Sequence, residues 1–211
     1  MLQKKFEYFI DYFEKNMPVA ESELNYDNPY QLIVAVILSA QCTDKRVNMT
    51  TPAFFERFPD VYSLSDSSVE EIYSYIKSIS YPNNKSKSLL GMAKVLVTEF
   101  DGVVPDNVDD LQRLPGVGRK TANVVASVAF NKPAMAVDTH VFRVSKRIGL
   151  TVNAKNPLDT ERQLIMYIPE NIIPKAHHWL ILHGRYVCKA RKPDCENCGI
   201  TTICDYYAEK S

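Results

Sequence analysis

Four cysteines near the C-terminus have the spacing of a metal centre that needs no ligand from elsewhere in the chain. They follow the pattern Cys-x6-Cys-x2-Cys-x5-Cys within the last 24 of the 211 residues. Structural zinc and a four-iron cluster both accept four thiolates. Structural zinc usually has two short Cys-x2–4-Cys pairs, whereas only one gap here is that short, so the spacing favours iron–sulfur. The four residues are Cys188, Cys195, Cys198 and Cys204.

Two disulfides are the alternative for the same four cysteines. Residues 1–13 mix charged and apolar side chains, which indicates an amphipathic helix and not a secretory signal. The longest apolar run, 32–38, is too short to span a bilayer. We therefore expect a soluble, cytoplasmic protein, and disulfides are rare in that compartment. The fifth cysteine, Cys42, is expected to be a small buried apolar residue.

Three cations lie between the first two cysteines of the pattern, at Lys189, Arg191 and Lys192. A metal centre would order this loop, which has little apolar core of its own. An ordered cationic loop binds phosphates without losing conformational entropy on binding. The loop is therefore a candidate phosphate-binding surface, although a single charge cluster is more often a solvated face.

A second chemical signal is the segment Leu-Pro-Gly-Val-Gly-Arg-Lys at 114–120, a tight turn between two predicted helices. Gly116 and Gly118 allow the backbone to approach another surface closely. The helix that follows begins with backbone N–H groups at its positive dipole end, which form a phosphate site without base specificity. From the spacing alone, two helices packed around a turn without any ligand are an equally good interpretation.

The net charge is zero, with 25 basic and 25 acidic residues, which by itself argues against strong binding to nucleic acid. The charges are nevertheless unevenly distributed. Residues 113–147 contain seven basic residues and one acid, Asp138, and residues 185–192 contain four basic residues and no acid. Local patches, more than net charge, form the footprint of a protein on a polyanion.

The elements that must position these residues are predicted to be helical, because apolar residues recur at helical spacing without a competing alternation. Taken alone, the run 32–38 could be a buried strand, because it is short and rich in β-branched residues, but we predict that it forms a helix buried on all sides. Pro29 suits the first turn of that helix, and the side chains of 65–68 suit a helix cap. The predicted helices cover 4–16, 29–38, 46–58, 68–79, 85–100, 107–114, 119–130, 139–148, 159–167 and 174–187.

Over nearly the whole chain, the sequence resembles the endonuclease III family of DNA glycosylases. Residues 114–125 are similar to that family's helix-hairpin-helix, and Val-Asp-Thr-His-Val-Phe-Arg-Val at 137–144 is similar to the signature that follows it. Residues 177–186 lead into the cysteine pattern that binds the family's [4Fe-4S] cluster. Leu-Ser-Ala-Gln-Cys-Thr-Asp at 38–44 resembles its DNA-inserting segment. Each segment alone would be weak, but together they are highly specific.

The resemblance implies an all-α fold of two helical lobes with a DNA-binding groove between them. One lobe, residues 22–133, would be a six-helix domain that contains the helix-hairpin-helix. The other would join residues 1–21 to residues 134–211 and hold the [4Fe-4S] cluster. The implied partner is double-stranded DNA that contains damaged bases or abasic sites. We expect a monomer associated with the bacterial nucleoid and without a membrane role.

By the same resemblance, Lys120 is the nucleophile and Asp138 the assisting carboxylate of a bifunctional DNA N-glycosylase and abasic-site (AP) lyase. An amine that attacks C1′ of the sugar displaces the damaged base, here an oxidised pyrimidine, and leaves a Schiff base. The imine makes the C2′ proton acidic, so β-elimination breaks the strand 3′ to the site. Partial burial of Lys120 would favour the neutral amine. Outside the family, such a lysine is usually a solvated charge and such an aspartate an N-cap.

A base that leaves the DNA stack must be replaced by protein side chains that fill the gap. Gln41 resembles the family's inserting glutamine, and Tyr81 is our candidate for the opposing wedge. The loop around Tyr81 has Ser80 and Pro82, which departs from the family's commoner Gly-Leu-Tyr or Gly-Tyr-Tyr pattern. The candidate residues of the base pocket are Ser39, Asp44 and His140.

The resemblance implies further contacts at the hairpin. Members of the family often hold a monovalent cation there through backbone carbonyls, which Gln112, Leu114 and Val117 would supply in this chain. The hairpin residues expected to contact DNA are Gly116, Val117, Gly118 and Arg119.

Three other functions are compatible with parts of the sequence. The nearest is a mismatch-specific glycosylase of the same superfamily. The adenine-specific type usually lacks a lysine at the position of Lys120, whereas a thymine-specific type is harder to separate. The others are a non-catalytic DNA-binding protein whose cluster senses redox state and a small electron carrier, which would leave the hairpin without a role.

Overall fold

The computed structural model describes residues 2–210, and within them it contains α-helices, short 3₁₀ segments and loops, without a β-strand. The prediction of an all-α fold is confirmed. In that same stretch, each helix is too short or too polar to cross a bilayer. The helices are α1 (Leu2–Asn16), α2 (Pro29–Ser39), α3 (Asp44–Arg57), α4 (Val61–Ser65), α5 (Val69–Ile76), α6 (Pro82–Glu99), α7 (Val108–Leu111), α8 (Arg119–Phe130), α9 (Thr139–Ile148), α10 (Pro157–Tyr167), α11 (Ile173–Tyr186) and α12 (Asp205–Ala208).

The helices belong to two compact units. One unit, Ser22–Lys132, contains α2 to α8. The other combines the residues up to Glu21 with those from Pro133 onward, and it contains α1 and α9 to α12. The hairpin and Lys120 therefore lie in the first unit, whereas Asp138 and the four-cysteine pattern lie in the second.

The centre of the first unit is α2, whose apolar run 32–38 is buried along its whole length. The start of α2 is set by Asn28, whose side chain accepts the N–H of Gln31, and by Pro29 in the first turn. Helices α3, α6 and α8 pack around α2. Burial of these side chains against the surrounding helices outweighs the low helix propensity of β-branched residues. The prediction of a buried helix is therefore correct.

The helices of the first unit depart from the predicted bounds at several ends: α5, for example, ends at Ile76, three residues before its predicted end. α6 begins at Pro82, three residues earlier than predicted, because proline is favoured at the first helical position. α4 was not predicted, and it is started by a capping box between Asp60 and Ser63. α7 ends at Leu111, three residues before the predicted end, and the residues after it form a turn. α4 and α5 both pack on α6, which positions the loop before it.

The second unit is built around Trp179 of α11. The indole stacks on Phe13 with ring centroids 5.7 Å apart, and Phe9 meets it edge-on at 6.0 Å. Its Nε1 donates a hydrogen bond to the carbonyl oxygen of Met17 at 2.8 Å. These contacts hold α1 against α11. α9 packs on α11 as well, so the start of α9 has a fixed position within this unit.

Candidate active site and cysteine centre

The hairpin between α7 and α8 ends in a helix start that is open to solvent. Gly116 has φ 82°, and a Cβ at this position would lie 2.6 Å from the Cβ of Ser88, so the turn requires glycine. The N–H of Val117 donates to the carbonyl oxygen of Leu114 at 3.0 Å and closes the turn. Gly118 is the exposed N-cap of α8, and a Cβ there would meet no atom of the described residues within 4 Å. An anion can therefore reach the N–H groups at the start of α8.

Lys120 is the second residue of α8 and is exposed. The expectation that Lys120 is partly buried is therefore wrong. Arg119 precedes it and is exposed as well. The helix dipole favours acidic residues in a first turn, so two cations at this position do not stabilise α8. The start of α8 is therefore locally positive.

Asp138 is the N-cap of α9 and is half-buried. Its Oδ1 accepts the backbone N–H groups of His140 and Val141, at 2.8 Å each. The capping role that the sequence left open is therefore present in the structure. Because both hydrogen bonds go to one oxygen, they fix the orientation of the carboxylate as well as the start of the helix.

The three residues proposed for the base pocket are half-buried and belong to different units. Ser39 ends α2, and its hydroxyl donates to the carbonyl oxygen of Val36 at 2.9 Å. Asp44 begins α3 in the same unit. His140 follows Asp138 in the second unit, and its Nδ1 lies 3.2 Å from Nη2 of Arg143. The arginine therefore fixes the orientation of the imidazole.

Gln41 and Tyr81, the two candidates for insertion into DNA, share an unusual backbone conformation. Both are exposed, and their φ angles of 54° and 56° lie in the left-handed region. Gln41 lies between α2 and α3, and Tyr81 is the N-cap of α6. A residue other than glycine in this region costs on the order of 1 kcal/mol. Contacts with the rest of the unit must therefore hold both loops in place.

The four cysteines of the C-terminal pattern line one cavity, together with apolar side chains that include Ile148, Pro193 and Ile200. Burial raises the pKa of the Cys198 and Cys204 thiols, and the neighbouring cysteines raise it further. Thiolates in such a cavity need a positive centre, which fits the chemistry of a four-sulfur donor set. Within residues 2–210, no three His, Cys, Asp or Glu side chains are arranged to hold a single metal ion.

His183 of α11 contacts this centre. Its Nε2 lies 3.7 Å from Sγ of Cys198. Burial lowers the pKa of His183 to about 4, so the imidazole is neutral at pH 7. A neutral ring can donate one N–H to a thiolate and so support a ligand of the centre.

Two arginines of α9, neither of them predicted from the sequence, hold the start of the cysteine segment, residues 188–204. Arg143 donates to the carbonyl oxygen of Cys188 at 3.2 Å. Arg147 donates to the carbonyl oxygens of Lys189 at 2.8 Å and Ala190 at 3.1 Å. Their spacing could have indicated a shared role, because two cations four residues apart lie on one face of a helix. The exposed cationic loop of Lys189, Arg191 and Lys192 is anchored at its first residue by these bonds.

Comparison with known proteins gives the family. Residues 34–170 match the HhH-GPD superfamily of base excision DNA repair proteins. Endonuclease III of Rickettsia felis is 48% identical over 92% of this chain and 91% of its own length. Endonuclease III of Bacillus subtilis is 44% identical over 95% of this chain and 92% of its own length. The chain belongs to the endonuclease III family.

Solved structures similar to this member of the endonuclease III family include a trapped endonuclease III–DNA covalent intermediate, with a TM-score of 0.93. That protein is 41% identical, with 99% of this chain and 98% of that chain covered. A thermostable thymine-DNA glycosylase has a TM-score of 0.88 and 25% identity, with 98% of both chains covered. The family that the sequence resembled is confirmed, and this endonuclease III relative is a DNA glycosylase and lyase of base excision repair.

Proposed function

We propose that this chain is a bifunctional DNA N-glycosylase and AP lyase that removes oxidised or ring-damaged pyrimidines through a Schiff base at Lys120. The observation that carries the proposal is the exposed amine of Lys120 in the first turn of α8, directly after the open start of that helix. The similar structure of a trapped endonuclease III–DNA covalent intermediate supports covalent chemistry. Double-stranded DNA with a damaged base or an abasic site is the proposed substrate.

The nitrogen of Lys120 has two roles in the reaction: it attacks C1′ of the sugar, and it then forms the imine that permits strand cleavage. Its lone pair forms a bond to C1′ of the sugar while the bond from C1′ to the base breaks, and the base leaves with the electron pair and takes up a proton. The bond from C1′ to the ring oxygen then breaks, the ring oxygen keeps the electron pair and takes up the proton that the nitrogen releases, and the imine forms. A base removes the C2′ proton, and the electrons expel the 3′ phosphate, which breaks the strand. Water finally hydrolyses the imine and restores the amine.

Asp138 is the proposed assisting carboxylate. As the sugar loses the base, positive charge develops on C1′ and the ring oxygen, and a fixed carboxylate stabilises that charge. The two hydrogen bonds from His140 and Val141 hold the carboxylate in one orientation, so it requires little rearrangement during the reaction. It can also accept the proton that the attacking amine releases.

Two surfaces would hold the DNA backbone. The start of α8 offers backbone N–H groups and the cation of Arg119 to a phosphate, and the bare Gly118 leaves room for close approach. The exposed cations of the cysteine segment would bind further phosphates, because they are anchored before binding. Both contacts are independent of base sequence, which suits an enzyme that must act wherever damage occurs.

Gln41 and Tyr81 are proposed to fill the space that the extruded nucleotide leaves in the duplex. Both are exposed and lie at turns of fixed geometry in the same unit. An amide can form hydrogen bonds with the estranged base, and an aromatic ring can stack between bases. Ser39, Asp44 and His140 remain the proposed contacts of the extruded nucleotide.

The four-cysteine cavity is proposed to hold a [4Fe-4S] cluster, with Cys188, Cys195, Cys198 and Cys204 as ligands. When bound, the cluster supplies four iron–sulfur links that order the C-terminal segment. Arg147 and Arg143 hold the backbone at the first ligand. A monovalent cation at the hairpin, held by the carbonyls of Gln112, Leu114 and Val117, is a secondary part of this proposal.

Borohydride trapping tests the role of Lys120. A duplex with one abasic site is mixed with protein and sodium borohydride, which reduces an imine to a stable amine, and covalent adducts are resolved on a denaturing gel. We expect an adduct with the wild type and with Lys94→Ala, an exposed lysine of α6 that serves as the control. Lys120→Ala should give no adduct while it keeps the wild-type unfolding temperature.

Two results would overturn the proposal. An undiminished adduct with Lys120→Ala would mean that another amine is the nucleophile. Base excision without any adduct in the folded wild type would favour a monofunctional glycosylase, and the similarity to a thymine-DNA glycosylase makes that the second candidate. Excision rates for thymine glycol, 5-hydroxycytosine and a G·T mismatch, measured in the same duplex, separate the two substrate classes.

A further inference from the structure

The loops that carry Gln41 and Tyr81 are each followed by a helix, and each helix carries a cation that reaches back to the other loop. Lys85 lies four residues after Tyr81, in the first turns of α6. Its Nζ donates to the carbonyl oxygen of Leu38 at 2.8 Å and to that of Ala40 at 2.6 Å. These two carbonyls end α2 directly before Gln41. The helix that begins at the Tyr81 loop therefore holds the Gln41 loop.

The reverse contact is made by Arg46 of α3, five residues after Gln41. Its Nη1 donates to the carbonyl oxygen of Ser78 at 2.9 Å, three residues before Tyr81. Thr50, one turn further along α3, places its Oγ1 3.3 Å from Oγ of Ser78. The helix that begins at the Gln41 loop therefore holds the segment that leads to Tyr81. The two contacts are reciprocal. The Gln41 loop is held by Lys85, whose helix starts at the Tyr81 loop, and the segment before Tyr81 is held by Arg46, whose helix starts after the Gln41 loop.

The position of Lys85 is difficult to explain by stability alone. The residue is only 7% exposed, and desolvation of an ammonium group is costly. Burial lowers the pKa of Lys85, while the nearby Cys42 opposes that shift. The carbonyls that it binds are at the negative end of the α2 dipole, which favours a cation there. An apolar residue would fill the same space without that cost, but it would leave the carbonyl oxygens of Leu38 and Ala40 without this donor, so the charge serves the end of α2 that it holds.

We propose that Lys85 and Arg46 are positioning residues that fix the Gln41 and Tyr81 loops in one shared geometry before DNA binds, so that both side chains enter the duplex together when a nucleotide is extruded. The inference rests on the proposed function of the two loops. Both loops contain a non-glycine residue in the left-handed region, and such strain persists only where surrounding contacts impose it. Because the two loops are already fixed, no conformational entropy is lost in ordering them when DNA binds.

The test compares a substrate that requires gap filling with one that does not. Lys85→Met removes the ammonium group and keeps an apolar chain of similar length, and Lys94→Met on the exposed side of α6 is the control. The first readout is the single-turnover excision rate of an oxidised pyrimidine in a duplex. The second is borohydride trapping on a single-stranded oligonucleotide with an abasic site, which has neither a base to extrude nor a gap to fill.

For Lys85→Met we expect the duplex excision rate to fall between about 10-fold and 100-fold, the range that a displaced positioning group causes. Trapping on the single-stranded oligonucleotide should stay within about twofold of the wild type. Lys94→Met should match the wild type in both assays. When Gln41→Ala is already present, adding Lys85→Met should lower the duplex excision rate by less than about twofold, because Lys85 acts through Gln41.

Arg46→Met keeps the inference testable if Lys85→Met fails to fold, because Arg46 is exposed and its loss leaves the core intact. It should show the same selective loss on the duplex. In a variant whose unfolding temperature is unchanged, two results would overturn the inference. One is an equal loss of duplex excision and single-strand trapping, and the other is wild-type rates in both assays. Failure of the wild type to form an adduct with either substrate would instead refute the proposed lyase function.

Discussion

The carboxylate oxygen Oδ1 of Asp138 accepts the backbone N–H of Val141 at 2.8 Å, as well as that of His140. One side chain therefore starts α9 and presents a negative charge. The two roles respond differently to substitution, since asparagine is as good an N-cap as aspartate but is neutral. The structure thus allows the capping role and the proposed catalytic role to be measured separately.

Asp138→Asn should keep the wild-type unfolding free energy and lose most base excision, because the cap remains and the charge is removed. Asp138→Ala should lose activity and also about 1 kcal/mol of stability, the usual value of an N-cap. Chemical denaturation and single-turnover excision measure the two effects. Asn156→Ala is the matched control, because Asn156 caps α10 in the same unit and should lower stability alone. An active Asp138→Asn variant would remove the carboxylate from the mechanism.

The two hairpin glycines should respond in opposite ways to alanine. Gly116→Ala forces a side chain into the left-handed region and against Ser88, so it should lower the unfolding free energy by at least about 1–2 kcal/mol. Gly118→Ala has an ordinary φ of −84° and meets no described atom within 4 Å, so only the poorer N-cap propensity of alanine should lower its unfolding free energy, by less than about 1 kcal/mol.

Gly118→Ala should nevertheless bind DNA about tenfold more weakly, the effect of losing roughly one good phosphate contact. Fluorescence anisotropy with a duplex that carries an uncleavable abasic analogue gives the dissociation constant. Unchanged affinity in this stable variant would show that no phosphate approaches the start of α8.

Arg147→Met should weaken retention of the proposed cluster. The substitution removes the donors to the carbonyl oxygens of Lys189 and Ala190, each hydrogen bond contributing on the order of 1 kcal/mol. The measurements are iron per protein after purification and the rate at which visible absorbance is lost in the presence of a chelator. Lys146→Met is the control, because Lys146 is its exposed neighbour on α9. Equal rates of loss in both variants would mean that Arg147 does not support the cysteine segment.

The helical fold was largely predictable because its signals are local. Asn28 and Pro29 mark the start of α2, and Ser68 caps α5 as its type suggests. α4 was missed because a helix of five residues has too few turns to show a period. The early start of α6 was available from Pro82, but the preceding Tyr81 is left-handed, and such a conformation gives little signal outside glycine and asparagine.

The candidate site was predictable only where its chemistry is contiguous in the sequence. The cysteine pattern and the glycine hairpin each lie within a short segment, so their spacing indicates a role. Lys85 and Arg143 were missed because they act on carbonyl oxygens 47 and 45 residues away. Backbone acceptors have no residue type, so the sequence contains no pattern that marks the partner of such a cation.

Stability should fall as the pH is lowered from about 6.5, and His178 should contribute to that fall. Burial first, and the charge of Arg185 second, lower the pKa of His178 to about 4 in the folded chain. The unfolded chain has the ordinary pKa near 6.5, so between these values the unfolded state binds the proton more readily and protonation favours unfolding. The effect grows as the pH falls toward 4 and amounts to ~3 kcal/mol at that pH.

His178→Gln removes the titrating group, so its unfolding free energy should fall less steeply than that of the wild type between pH 6.5 and pH 5, by ~2 kcal/mol over that interval. Denaturant unfolding at a series of pH values gives both curves, with pH 7.5 as the reference at which the imidazole is neutral in both states. Parallel curves would show that His178 is protonated as easily in the folded chain as in the unfolded one, and therefore that water reaches its ring.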